Sequence, residues 1–124
     1  MKKKNFKGIS TVTLHSASTE NDNFSHTTPI YATSTFTFDS TDEGMERFKS
    51  TDKTRIYSRW GNPTFTAAQD VIAALESFGL KNEKGEQLEL KALLHASGQA
   101  AMSTLFLSTL SAGDILVSHY SLYG

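Results

Sequence analysis

Residues Ala92 to Val117 read ALLHASGQAAMSTLFLSTLSAGDILV, and the succession of patterns along them decides the fold class. Ala92–Ala96 is a short apolar run of strand length, interrupted by Ser97-Gly98. The next segment, from about Gln99 to Ser111, is apolar or small on nearly every face, which predicts a helix covered on all sides. Ala112-Gly113-Asp114 ends it, and Ile115–Val117 opens another apolar run. Strand, tight turn, buried helix, short turn and strand make one βαβ unit, with a right-handed crossover. Parallel strands buried on both faces have this continuous apolar character. The fold class is α/β.

Moving toward the N-terminus, Asn62 is a good N-cap and Pro63 suits the first helical position, where its missing donor costs nothing. Phe65, Ala68, Ile72, Leu75 and Phe78, with Val71, follow at three- and four-residue spacing and predict an amphipathic helix. Gly79 is its expected left-handed end. Lys81–Glu89 is polar around Gly85 and reads as a solvent loop or hairpin. The first sixty residues are different, being rich in Ser, Thr, Asn and Asp with little period. A long structureless stretch argues against a self-contained fold. The last residues, Ser121-Leu122-Tyr123-Gly124, follow a strand-like run directly and read as loop. The expectation is an N-terminal piece of something larger, partly unfolded when made alone.

Composition removes several function classes. Lys+Arg 12 against Asp+Glu 13 leaves no basic stripe for nucleic acid. Lys2–Lys4 and Lys7 read as a solvated tail, with no apolar signal-peptide core after them. No apolar run approaches membrane-spanning length. With no cysteine, a disulfide scaffold or a cysteine metal site is excluded, and no metal is expected. A soluble cytoplasmic protein is the expectation.

Three features carry chemistry. Tyr57–Thr64 reads YSRWGNPT. Tyr57 and Arg59 stand two apart, so an extended segment would project both to one side. A guanidinium fork beside a phenol suits an anion such as phosphate or carboxylate. The second is the Ser97-Gly98-Gln99 turn, at a strand's C-terminal edge and a helix start, where free N–H groups and the helix dipole favour an anion. With one glycine it is no dinucleotide fingerprint. The third is Tyr123, on the loop after the next strand, where a flat ring could stack on a planar heterocycle. His119 on the same segment is assigned no role.

Together these motifs resemble the Cys/Met-metabolism family of pyridoxal-phosphate enzymes, which includes cystathionine γ-synthase and γ-lyase, methionine γ-lyase and O-acetylhomoserine sulfhydrylase. The resemblance runs from Thr27 onward, through TTPIYATSTF (27–36), YSRWGNPT (57–64), ALE (74–76), ASGQAA (96–101), AGDILVS (112–118) and LYG (122–124). It implies the N-terminal part of a fold-type I enzyme, an extended arm over residues 1–60 followed by the first βαβ unit of the cofactor-binding domain at 61–124. Tyr57 and Arg59 would then grip the cofactor phosphate of the neighbouring subunit. Gly98 and Gln99 would offer backbone N–H groups to the phosphate of their own subunit, with Ser97 lining the turn. Tyr123 would stack on the pyridine ring and take part in proton transfer. The active site would be shared across a dimer, within a homotetramer, and the arm would reach over the partner chain.

The departures from the family pattern are informative. Gln99 stands where the lyase branch often has Met, and it looks more like the sulfhydrylase branch. Trp60 replaces a smaller residue. None of the lysines lies in the Ser-x-Thr-Lys context that carries the cofactor, and the aspartate facing the pyridine nitrogen is missing as well. By itself the chain is expected to be inactive. The whole protein is expected to catalyse γ-elimination or γ-replacement on sulfur amino acids or O-acyl-homoserine, the choice resting with residues beyond Gly124. The alternative is a non-catalytic phosphate- or nucleotide-binding α/β domain.

Overall fold

The computed structural model describes residues 6–17, 24–51 and 55–122. Its helices are α1 (Ile9–His15), α2 (Thr41–Lys49), α3 (Pro63–Glu76) and α4 (Gly98–Thr109). They belong to two compact units, Met1–Leu93 and Leu94–Gly124.

In the first unit α3 starts where local chemistry requires. The Asn62 side chain accepts from the Thr64 N–H, Pro63 occupies the first turn, and the chain leaves through Gly79 at φ +75°. Its apolar residues do not all turn inward. Ala67 is buried and Val71, Leu75 and Phe78 are half-buried, whereas Phe65, Ala68 and Ile72 of the expected inner face are exposed. The packing partner explains the difference. Helix α1 packs on α3, and one short helix with Val12 buried covers only part of a fourteen-residue surface.

The arm read as lacking regular structure contains α1 and α2. Ser40 caps α2, its hydroxyl accepting from the Glu43 N–H at 3.1 Å. The Glu43 carboxylate reaches back to the Asp39 N–H at 2.7 Å, a capping box displaced by one residue. Arg47 then ties α2 down, pairing with Glu43 at 2.6 Å and donating to the Arg55 carbonyl at 3.1 Å. Rings continue the contact. Phe48 lies edge-on to Phe38 at 6.2 Å and to Trp60 at 5.8 Å. Beyond α3, Lys81 and Gln87 form an antiparallel bridge around a turn with Gly85 at φ +78°, the hairpin expected there.

In the second unit Ser97 caps α4, accepting from the Ala100 N–H at 3.1 Å. A turn follows, with the Ser111 N–H donating to Asp114 at 2.7 Å and Gly113 at φ +100°. Among the described residues no strand forms, and 92–96 and 115–117 have no ladder partner. Nor is α4 covered as its composition predicts. None of its residues is buried, and in the run after it Ile115 and Val117 are 86% and 89% exposed. A strand exists only against the backbone of a neighbour, and an apolar helix is buried only by a sheet beneath it. Neither cover occurs among the described residues.

Candidate functional site

Tyr57 is fixed by an antiparallel bridge to Thr35. The Ser58 N–H donates to the Ser34 carbonyl at 2.8 Å and the Phe36 N–H to Ile56 at 3.3 Å, with Ile56 itself buried. Immediately afterwards the chain turns. The N–H groups of Trp60 and Gly61 both donate to the Tyr57 carbonyl, at 2.9 and 3.2 Å. Arg59 therefore stands on a turn, not on the extended segment expected from the two-residue spacing. The pair still meets. The guanidinium carbon of Arg59 lies 5.2 Å from the centre of the Tyr57 ring.

Both side chains are exposed, and among the described residues no carboxylate pairs with Arg59. An exposed cation–π contact stabilises by only about 0.5–1 kcal/mol. Such a guanidinium is held in place but keeps its donors for an anion. Trp60 lies edge-on to Tyr57 at 6.3 Å and to Phe48 at 5.8 Å, so α2 supports the turn from behind.

Under the turn sits Asn62, only 3% exposed. Its amide nitrogen donates to the Tyr31 carbonyl and to the Ser58 hydroxyl, each at 3.0 Å. The Ser58 hydroxyl donates in turn to the Thr33 carbonyl at 2.5 Å. Thr64 completes the network, accepting from the Tyr31 N–H at 2.8 Å and donating to Pro29 at 3.4 Å. Sequence reading saw Asn62 as a cap and missed this second task. Its donors reach a residue 31 positions away, which no local pattern reveals. Helix α2 was missed as well, although the Ser40-x-x-Glu43 spacing carried a signal for its start.

In the other unit, Ser97, Gly98 and Gln99 are exposed at the start of α4. The Ser97 hydroxyl is engaged as a cap, while the N–H groups of Gly98 and Gln99 belong to the first turn and have no helical acceptor. A Cβ built at Gly98 meets nothing within 4 Å, and its φ is not positive. Among the described residues neither packing nor backbone conformation requires glycine there. Tyr123 lies outside the described residues. His119 accepts from the Ser121 N–H at 3.1 Å and lies 4.7 Å from the Tyr120 ring, a local contact. Among the described residues no cluster of potential metal ligands occurs. Among the described residues, Glu43 has a displaced titration. The Asp39 N–H, and then Arg47, hold its carboxyl below the usual carboxylate range.

Residues 10–124 match the Cys/Met metabolism PLP-dependent enzyme family. The chain belongs to that family, whose members use pyridoxal phosphate. It is 38% identical over 117 residues to the L-methionine gamma-lyase of Fusobacterium nucleatum subsp. polymorphum, a match covering 94% of this chain and 27% of that enzyme. It is 33% identical over 118 residues to the O-acetyl-L-homoserine sulfhydrylase of Corynebacterium glutamicum, covering 94% and 24%. With the homocysteine/cysteine synthase of Saccharomyces cerevisiae it shares 33% over 117 residues, covering 92% and 24%. The chain thus spans about a quarter of the length of these relatives.

The donors present suit the cofactor's phosphate. An exposed guanidinium and phenol stand together on one turn, and the helix-start N–H groups of Gly98 and Gln99 follow an N-cap at exposed positions where Gly98 itself carries no Cβ. No helix is long and apolar enough to cross a membrane among the described residues.

Proposed function

We propose that the whole protein carrying this chain is a pyridoxal-phosphate enzyme of sulfur amino-acid metabolism, performing γ-elimination or γ-replacement. The substrates would be amino acids such as methionine or an O-acyl-homoserine. The observation that carries this reading is the Arg59 guanidinium, held beside Tyr57 with no carboxylate partner among the described residues, in a chain of this family. The names of the relatives support both branches, a lyase and a sulfhydrylase. The bound cofactor supplies an electron sink for charge developing at the substrate's α-carbon.

In this reading Tyr57 and Arg59 hold the phosphate of the neighbouring subunit's cofactor. The N–H groups of Gly98 and Gln99 hold the phosphate in their own subunit, with Ser97 fixing the turn. Tyr123 stacks on the ring, and its hydroxyl moves a proton as the γ-substituent departs. The arm of residues 1–60 reaches the partner. Residues 61–124 begin the cofactor domain, with 92–96 and 115–117 as parallel strands flanking α4 in one βαβ unit. The exposed apolar surface of α4, Ile115 and Val117 supports that arrangement, because such residues gain stability only under cover. The assembly is a homotetramer in the cytoplasm.

The test uses the full-length protein loaded with pyridoxal phosphate. One arm supplies L-methionine and measures 2-oxo acid and thiol. The other supplies O-acetyl-L-homoserine with sulfide and measures homocysteine. Turnover in either arm is expected, and the faster arm assigns the branch. A protein that holds the cofactor and turns over neither substrate refutes the reading and favours a non-catalytic phosphate-binding role.

A further inference from the structure

We propose that Asn62 is a positioning residue for the phosphate clamp, acting through Ser58 and Tyr31 and not by touching the cofactor. This rests on the reading of Tyr57 and Arg59 as phosphate ligands. Capping α3 requires only the Asn62 side-chain oxygen, which accepts from the Thr64 N–H at 2.9 Å. Serine or aspartate would do that equally well, and both cap from exposed positions. Yet Asn62 is 3% exposed, and its amide hydrogens are committed to two further partners at 3.0 Å. A carboxamide combines an acceptor with two donors, a set that neither serine's single donor nor an ionised carboxylate reproduces.

The positions of those partners give the inference its content. Ser58 stands between Tyr57 and Arg59, and its hydroxyl is shared between Asn62 and the Thr33 carbonyl. The Tyr31 backbone is gripped at both polar groups, its carbonyl by Asn62 and its N–H by Thr64. The segment that bridges Tyr57 is therefore fastened to the first turn of α3. The turn bearing Arg59 is tied at Ser58 on one side and Asn62 on the other. A guanidinium on a long flexible stem recognises phosphate by geometry, so slack at its base weakens recognition even when the charge remains.

The experiment measures the affinity of full-length apo-protein for pyridoxal 5'-phosphate and for pyridoxal, which lacks the phosphate, by equilibrium dialysis. Thermal midpoints are recorded alongside. Asn62→Ser and Asn62→Asp each keep a capping oxygen and remove both amide donors. Both are expected to bind pyridoxal as the parent does and to lose preference for the phosphate ester by roughly tenfold, about 1.4 kcal/mol. Ser58→Ala is expected to move the same ratio in the same direction by less. Arg59→Ala is the reference. If it leaves the preference intact, the phosphate reading itself is wrong and the inference goes with it. If Arg59→Ala abolishes the preference while Asn62→Ser and Ser58→Ala keep it in full, Asn62 is only a cap. Should the Asn62 variants not fold, Ser58→Ala decides, and an unchanged ratio overturns the proposal.

Discussion

Removing the Arg59 guanidinium separates a structural from a functional residue, because the two roles differ in size. In the folded chain Arg59 is exposed and contacts the Tyr57 ring at 5.2 Å. Losing that contact costs about 0.5–1 kcal/mol at an exposed site. A charged hydrogen bond to phosphate is stronger, about 1.5–3 kcal/mol, which corresponds to a roughly 10- to 150-fold weaker Kd. Arg59→Ala in the full-length protein is therefore expected to fold nearly as the parent does and to retain cofactor poorly. Dialysis followed by absorbance of the retained cofactor measures this directly. Arg59→Lys keeps the charge without the planar fork and should fall between the two. Mixed oligomers test whether the residue serves the neighbouring subunit. One subunit would carry Arg59→Ala and the other an inactivated cofactor-bearing lysine. A site combining intact Arg59 from one with intact lysine from the other should recover activity, and inactive hybrids remove the trans assignment. A normal Kd with a lowered thermal midpoint would refute the clamp and make Arg59 a structural residue.

Gly98→Ala should leave the folding stability, followed by thermal melting, within about 0.5 kcal/mol of the parent, since its Cβ meets nothing within 4 Å, while cofactor affinity falls. Unchanged affinity would show that no ligand approaches that backbone. Glu43 has its pKa lowered by the Asp39 N–H and Arg47, so its contribution is present above the ordinary carboxylate value of 4.5 and is lost as pH falls through the lowered folded value. Comparing thermal midpoints of the parent and Glu43→Gln from pH 7 to pH 3 should show the gap between them closing with acid, and a constant gap would contradict the assignment. Tyr123→Phe should keep the cofactor and lose turnover by about 10- to 1000-fold, near the range for a positioned acid. Parent-like turnover would leave the hydroxyl no catalytic part.

What was legible in the sequence was what short-range chemistry controls. The starts of α3 and α4 followed from Asn62-Pro63 and from Ser97, because a cap acts on N–H groups two or three residues away. Gly79 took the positive φ expected of it for the same local reason. The family could be read from motifs in order along the chain, with residues 10–124 matched. Helix α2 was equally local but was hidden by the polar composition around its capping box. The remainder was decided by distance in sequence. The Asn62 bond to Tyr31 spans 31 positions, and the turn that sets Arg59 against Tyr57 depends on a bridge to Thr35. A cover for α4 and ladder partners for 92–96 and 115–117 are equally non-local, and neither occurs among the described residues. An apolar run specifies that it will be buried, but only the elements packed around it determine where, and by what.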